Sequence, residues 1–169
     1  MRILFLFLIL AVAKGSAAQL QRYQFVQPKM GSPFHIILFA PDSITAAQKA
    51  KEAFLLIDSL NLIFSDYDSS SELSRLSRTT GRDSFVCVSS HLYDIVWQSK
   101  KAAQLSRGTF DITVGPLSRL WRTARREKKF PSKADVAAAR ALTGMDKIVV
   151  DTAAKKVKLL QPGMQLDLG

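Results

Sequence analysis

Residues 108–117 read GTFDITVGPL, and this stretch contains a charged residue within an apolar run. Asp111 stands between Phe110 and Ile112 in a run otherwise suited to burial, with glycines at both ends. A buried carboxylate needs partners, because leaving it unpaired is strongly unfavourable. Two roles remain open for Asp111: it fixes a turn by accepting backbone hydrogen bonds, with Thr113 assisting, or it accepts hydroxyl or NH groups of a ligand.

The elements around this stretch indicate an α+β fold. Strands are predicted at residues 23–27, 34–39, 85–88 and 165–168, together with a hairpin formed by residues 147–150 and 156–160. The segment Pro41-Asp42-Ser43 supplies the cap of a long helix, whose apolar stripe starts at Ala47 and which ends near Ser65. Four further helices follow, the last capped by Ser132 and Asp135. Because strands and helices do not alternate regularly, we expect a largely antiparallel mixed sheet with packed helices.

Composition and charge exclude several classes of protein. The 169 residues include 47% hydrophobic and 22% charged residues, which argues against disorder, and 24 basic against 14 acidic residues give a net charge of +10. The single cysteine, Cys87, excludes an intramolecular disulfide framework and a multi-cysteine zinc site. Cys87 lies in a strand-like apolar run, so we expect it to be a buried small hydrophobe rather than a nucleophile.

The N-terminus predicts a cleaved export signal over residues 1–18, which leaves a folded domain over residues 19–169. Arg2 precedes an unbroken apolar run at residues 3–12, and Ser16 and Ala18 occupy the two positions that a signal peptidase reads before Gln19. The alternative is an uncleaved N-terminal anchor, although the apolar run is short for a bilayer-spanning helix. The protein is therefore expected to be exported, to a bacterial periplasm.

Three other positions are candidate ligand contacts. Met30 precedes Gly31, whose backbone freedom suits either a plain turn or a close approach to a ligand. Tyr67 lies in an acidic, serine-rich turn, where it can stack on a planar ligand or pack on the preceding helix. Asp167 alternates with two leucines and so faces away from them, toward solvent or a cleft.

A basic helix adds a candidate anion site. Arg119, Arg122 and Arg126 are spaced three and four residues apart, so they share one helix face. Such a face is either solvated or in contact with an anion, and a phosphate-bearing ligand would suit these arginines.

Taken together, the motifs resemble one family. MGS at residues 30–32, FSDY at 64–67, SELSRL at 71–76, the stretch at 108–117 with Trp121, and LDLG at 166–169 occur in the order of the FAD:protein FMN transferases, the ApbE family. The similarity runs from about residue 24 to the end of the sequence. The serine at position 32, where threonine is common, is a mild departure.

The resemblance implies a substrate, a reaction and a set of contacts. By resemblance, the residues that contact FAD are Met30, Tyr67, Thr109, Phe110, Asp111 and Asp167. A threonine or serine hydroxyl of an acceptor protein would attack the FMN phosphorus of FAD, and AMP would leave, in a reaction that uses Mg²⁺. The acceptors would be subunits of exported or membrane redox complexes, with the enzyme on the periplasmic side of the inner membrane, either free or attached to it.

The family pattern also continues beyond the last motif of this sequence. By resemblance, the chain is the N-terminal half of such an enzyme, so the Mg²⁺ ligands are expected outside it and the chain alone is expected to be inactive. Two alternatives remain open: a non-catalytic exported flavin-binding protein, and a basic exported protein that binds an acidic partner.

Overall fold

The computed structural model describes residues 19–169, so the predicted export signal at residues 1–18 lies outside the described residues. The chain divides into two compact units, of which the first ends at Phe54 and the second spans Leu55–Gly169. Within residues 19–169, no helix combines the length and the apolar character that crossing a bilayer requires.

The first unit contains an antiparallel hairpin. Strands β1 (Gln21–Lys29) and β2 (Ser32–Ala40) pair along their whole length and are joined by a two-residue turn at Met30 and Gly31. Both turn residues have positive φ, 49° and 77°, as a type I′ turn requires. The strands run further than predicted because Pro28 and Pro33 pair with each other next to the turn, where two edge strands tolerate a missing donor.

Helix α1 (Ser43–Phe64) follows the hairpin and begins at the predicted cap. Asp42 Oδ1 accepts a hydrogen bond from the backbone N–H of Thr45 at 2.7 Å. The buried face consists of Ala46, Ala50 and Phe54, whereas Ala47 is exposed. The apolar stripe therefore starts one position earlier than the sequence pattern suggested.

The second unit is α+β, as expected. Its helices are α2 (Glu72–Ser77), α3 (Ser90–Leu105), α4 (Gly115–Glu127) and α5 (Lys133–Ala141), and single 3-10 turns occur at Ile112–Val114 and Met145–Lys147. Strands β3 (Val86–Cys87), β4 (Ile148–Asp151) and β5 (Lys156–Leu159) form an antiparallel sheet in the order β3-β5-β4. The predicted hairpin is thus β4–β5, and the predicted capping box of Ser132 and Asp135 starts α5.

The core of this unit lies between α2, α3, the sheet and the C-terminal segment. Fully buried side chains come from each of them: Leu73, Leu76, Leu92, Val96, Ile148, Val157, Leu159, Met164 and Leu166. Ser89, the N-cap of α3, also donates to both carboxylate oxygens of Glu72 in α2, through its N–H at 2.5 Å and its hydroxyl at 2.6 Å. These bonds fix the two helices against each other.

Two sequence predictions fail in this unit. Cys87 is exposed, because its neighbours Val86 and Val88 pack on the core and alternation turns the thiol to the other side. Residues 165–168 form no strand in the described chain. Leu166 is buried as predicted. The segment does not pair with a neighbouring strand, and a single backbone hydrogen bond, from the N–H of Asp167 to the carbonyl of Ile112 at 2.8 Å, connects it to the turn before α4.

Candidate functional site

Arg122 lies at the centre of a charge cluster in the second unit. Its Nη1 is 2.5 Å from Oδ2 of Asp66, and its Nη2 donates to Oδ2 of Asp167 at 2.9 Å. The side chains of Asp66 and Asp167 are only 16% and 11% exposed. Burial lowers the pKa of Arg122, but the hydrogen bond and charge of Asp66 and the charge of Asp167 outweigh it and raise the pKa above its ordinary value. One guanidinium therefore balances two largely buried carboxylates.

Tyr67 stacks on the same guanidinium. The central carbon of Arg122 lies 4.2 Å from the centroid of the Tyr67 ring, a cation–π contact. Tyr67 is nevertheless 78% exposed, so the ring face turned away from Arg122 is open to solvent. Arg122 thus fixes the orientation of the Tyr67 ring and leaves its other face available for stacking.

The loop that carries Asp66 and Tyr67 is held by hydrogen bonds between neighbouring residues. Ser65 Oγ accepts from the N–H groups of Tyr67 and Asp68 at 3.2 and 3.1 Å, and Asp68 Oδ1 accepts from the N–H and hydroxyl of Ser70, both at 2.7 Å. These hydrogen bonds, that from the Ser70 hydroxyl first, hold the pKa of Asp68 below the ordinary value of an aspartate. The loop geometry is therefore set by its own serines and by an ionised aspartate.

Asp111 fixes a turn with one oxygen only. Its Oδ1 accepts from the N–H of Thr113 at 2.7 Å and from the Thr113 hydroxyl at 2.6 Å, which caps the 3-10 turn Ile112–Val114. The Thr113 hydroxyl in turn accepts from Gly144 N–H at 2.6 Å. Within residues 19–169, Oδ2 of Asp111 receives no hydrogen bond. The turn-fixing role is thus present, and the second oxygen remains available to a ligand.

The C-terminal segment packs closely on the start of α4. Asp167 is tied to the turn by the bond from its N–H to Ile112. At Gly115, the first residue of α4, a Cβ would lie 2.5 Å from the carbonyl oxygen of Gln165. Only glycine allows this approach, which places Asp167 within reach of Arg122.

A cleft of about 610 Å³ opens beside this cluster. Helices α2 and α4, the loop after α1 and the C-terminal segment line it, with the residues Asp66, Tyr67, Ser69, Leu73, Ser74, Ser77, Arg78, Gly115, Arg119, Arg122, Thr123, Arg126, Gln165 and Leu166. Its volume lies in the usual range for small-molecule and cofactor sites, about 300–1,000 Å³.

The charge of the cleft is positive. Arg119 makes no ion pair within the described residues, and Arg126 has only a loose, exposed contact of 3.7 Å with Glu127. Arg78 donates to the Ser69 carbonyl at 2.7 Å. Arg122 partly neutralises the carboxylates of Asp66 and Asp167. The positive charges of the other arginines therefore give the cleft an affinity for anions. The shared helix face predicted for Arg119, Arg122 and Arg126 is thus confirmed, since all three line the cleft.

The six residues named by resemblance are only partly brought together. Tyr67 lines the cleft, Asp167 is joined to it through Arg122, and Asp111 lies next to Ile112, which accepts the Asp167 N–H. For the other three, contact with FAD stays a prediction. Thr109 and Phe110 are exposed in the bend before the 3-10 turn, where Phe110 N–H donates to Ser106 Oγ at 3.0 Å, and Met30 lies in the turn of the first unit.

Sequence reasoning missed three residues of the site. Asp66 pairs with Arg122, Arg78 contributes a further cation, and Gly115 allows the C-terminal segment to approach. Asp66 had a local signal, since it adjoins Tyr67. The other two depend on contacts between segments that are distant in sequence.

The described residues do not offer a Mg²⁺ site. Within residues 19–169, no group of three or more histidine, cysteine, aspartate or glutamate side chains is arranged to hold a metal ion. Asp66 and Asp167 approach the cleft, but Arg122 engages both. The resemblance places the Mg²⁺ ligands outside this chain, and their position stays a prediction.

The sequence matches a family model over most of its length. The model of the ApbE family matches residues 30–169. The FAD:protein FMN transferase of Klebsiella pneumoniae is 30% identical over 147 residues, which are 87% of this chain and 45% of that protein. The FAD:protein FMN transferase of Haemophilus influenzae is 29% identical over 145 residues, which are 82% and 42%. The chain thus spans just under half the length of these curated relatives.

Solved structures agree with this match. The flavin transferase ApbE from Vibrio cholerae superposes with a TM-score of 0.76 at 25% identity, covering 88% of this chain and 48% of that one. The Pseudomonas stutzeri flavinyl transferase ApbE, in its apo form, superposes with a TM-score of 0.71 at 25% identity, covering 88% and 47%. The α+β arrangement is therefore that of the corresponding part of these proteins.

Proposed function

This chain belongs to the ApbE family, and on that premise we propose that it binds FAD in the arginine-lined cleft as part of an FAD:protein FMN transferase. The observation that carries the proposal is the stack of Arg122 on Tyr67 at the edge of a cationic cleft. It offers a planar ring of FAD an aromatic face and offers the diphosphate a set of cations. Curated relatives named for this activity support it.

Three features of FAD, a planar ring, the diphosphate and a hydroxyl or NH group, have matching groups on this chain. A planar ring stacks on the open face of Tyr67, which Arg122 holds in place. Arg119 and Arg126 attract the diphosphate. Asp111 Oδ2 accepts from a hydroxyl or NH group of the ligand. The contacts of Thr109, Phe110 and Asp167 with FAD stay predictions made from the resemblance, as does that of Met30.

The proposed reaction is phosphoryl transfer. The oxygen of a threonine or serine hydroxyl in the acceptor protein forms a bond to the FMN phosphorus of FAD, and the bond from that phosphorus to the bridging oxygen breaks. AMP leaves with that oxygen, and the hydroxyl proton passes to the AMP phosphate or to water. Negative charge is spread over phosphate oxygens at the transition state, and fixed cations stabilise it. Mg²⁺ dependence is part of the proposal, with its ligands expected outside this chain, and the role proposed for the arginines is to bind the diphosphate.

The site of action is proposed from the sequence. Residues 1–18 have the features of an export signal, so we place the protein outside the cytoplasm, in a periplasm. The acceptors would then be subunits of exported or membrane redox complexes.

A binding experiment tests the site. FAD is titrated into the chain and followed by the quenching of flavin fluorescence, with Arg119→Gln/Arg126→Gln as the test variant and Arg82→Gln/Arg140→Gln as the control of equal charge. We expect the test variant to weaken FAD binding about tenfold or more, because two phosphate contacts are lost, and the control to bind as the original does. Equal binding by both variants would remove the cleft from the proposal.

A second measurement addresses the reaction. The chain is incubated with FAD, Mg²⁺ and a threonine-containing acceptor peptide, and the peptide is weighed by mass spectrometry. A gain of one FMN supports transferase activity by the chain as it is. An unmodified peptide is the result expected where the Mg²⁺ ligands lie outside this chain, so the choice between a transferase and a flavin-binding protein requires the same assay on a protein that also carries those ligands.

A further inference from the structure

A second cavity, of about 430 Å³, lies on another face of α4. The cleft described above uses Arg119, Arg122 and Arg126 of this helix, whereas the second cavity uses other positions, beginning with Trp121. We call its six lining residues the aromatic–cationic patch: Trp121, Ala124, Arg125, Lys128, Lys129 and Phe130. None of them contributes to the proposed FAD site.

The patch is built by the end of α4. Lys128 has a left-handed backbone, with φ of 53°, and the N–H of Lys129 donates to the Ala124 carbonyl at 3.1 Å. The chain therefore reverses direction, and Phe130 lies edge-on to Trp121 with ring centroids 6.4 Å apart. Phe130 remains 86% exposed and Trp121 about half exposed. Two large aromatic side chains are thus held together at the surface rather than in the core.

The charged side chains that line the cavity are all basic. Arg125 and Lys128 form no ion pair within residues 19–169, and Lys129 has only an electrostatic interaction with Asp135, without a contact-distance pair. Glu127 is directed to Arg126, outside the patch. The lining therefore offers cationic donors and apolar surface but no acidic or amide side chain that could accept a hydrogen bond.

We propose that the aromatic–cationic patch binds the surface of an anionic phospholipid bilayer. A bilayer surface presents phosphate and ester acceptors and few donors, which complements a lining that has donors only. Aromatic side chains with adjacent lysines and arginines are the typical combination at membrane interfaces. Trp121 and Phe130 enter the boundary between headgroups and acyl chains, while Arg125, Lys128 and Lys129 bind lipid phosphates. The inference is independent of the proposed FAD chemistry.

Vesicle binding tests the proposal. The chain is co-sedimented with vesicles of phosphatidylcholine alone or with about one third phosphatidylglycerol, at low and high salt, since salt screens the attraction between exposed charges. We expect preferential binding to the anionic vesicles that is lost at high salt. Binding is expressed as the ratio of anionic to neutral vesicles, so any contribution of the apolar run at residues 3–12, which is common to all variants, cancels.

Two matched pairs of variants locate the contact. Lys128→Gln/Lys129→Gln is compared with Lys51→Gln/Lys155→Gln, because both remove two exposed charges and Lys155, like Lys128, has a left-handed backbone. We expect the first pair to reduce the ratio about tenfold and the second to leave it nearly unchanged. Phe130→Ala is compared with Leu105→Ala, whose side chain is 87% exposed, and only Phe130→Ala should weaken binding.

A fluorescence measurement reports insertion directly. In a Trp97→Phe background, Trp121 is the one remaining tryptophan of the sequence, and its emission should shift to the blue on anionic vesicles. Equal binding by each variant and its control, no preference for anionic vesicles, or an unshifted Trp121 emission would overturn the proposal. The proposal would also be overturned if the same residues bound a glutamate-rich peptide and the chain did not bind vesicles.

Discussion

Arg122 and Asp167 are 45 positions apart in the sequence, and their side chains form a hydrogen-bonded ion pair of 2.9 Å. The same guanidinium also engages Asp66 and covers one face of Tyr67. A single arginine therefore joins α4, the loop after α1 and the C-terminal segment. Both the stability of the second unit and the shape of the cleft depend on this connection.

Arg122→Gln should destabilise the second unit. It removes the cation that balances two largely buried carboxylates, so we expect a loss of about 2 kcal/mol in the free energy of unfolding, between the values for exposed and buried pairs. Urea unfolding followed by circular dichroism measures it. Arg125→Gln, on the same helix but exposed, should change stability by less than about 0.5 kcal/mol. Equal effects of the two variants would mean that the charge cluster contributes no stability.

Gly115→Ala should also be destabilising, against the ordinary preference of helices. Alanine in a helix is normally more stable than glycine by about 1 kcal/mol. At position 115 its Cβ would meet the Gln165 backbone, so we expect a net loss of about 1–3 kcal/mol. A rise in the thermal midpoint would show that the C-terminal segment does not pack on α4 as described.

Asp111→Asn and Asp111→Ala should separate the two roles of Asp111. Asparagine keeps an oxygen that can accept from Thr113, so stability should change little while FAD binding weakens. Alanine removes the cap as well and should cost about 1–2 kcal/mol of stability in addition. Calorimetry and FAD titration of both variants give the two quantities. An Asp111→Asn variant that binds FAD normally would leave only the turn-fixing role.

The loop that carries Tyr67 should loosen in acid. The pKa of Asp68 is lowered in the folded state, so its contribution to stability is complete above the unfolded-state pKa and is lost as pH falls through the lower, folded-state pKa. Carbon-detected NMR of the Asp68 carboxyl group, followed against pH, measures the folded-state value. Ser70→Ala should bring it back toward the ordinary pKa of an aspartate. An unchanged titration in Ser70→Ala would contradict the assigned cause.

Local signals in the sequence were sufficient for most of the helices and strands. The caps at Asp42 and Ser132 and the hairpin β4–β5 depend on residues close together in the chain, and each was predicted. The run that contains Cys87 was harder to interpret, because four consecutive apolar residues do not indicate which of them face the core. Residues 165–168 alternate as a strand does, but alternation alone supplies no pairing partner.

The candidate site was only partly predictable for the same reason. The helical spacing of Arg119, Arg122 and Arg126 predicts a shared face without indicating what Arg122 contacts. Its partners come from two loops whose positions are set by the packing of the whole unit. The resemblance indicated Tyr67, Asp111 and Asp167. The structure shows that Arg122 connects Tyr67 with Asp167.

The hairpin turn in the first unit has a consequence for Met30. A type I′ corner favours asparagine or glycine at both central positions, and a long side chain in the left-handed region is disfavoured by about 1 kcal/mol. Met30 nevertheless occupies the first corner with φ of 49°. Met30→Asn would create an Asn-Gly corner and is expected to give a more stable hairpin, so the needs of folding do not account for a methionine here. The contact of its thioether with FAD stays the prediction made from the resemblance.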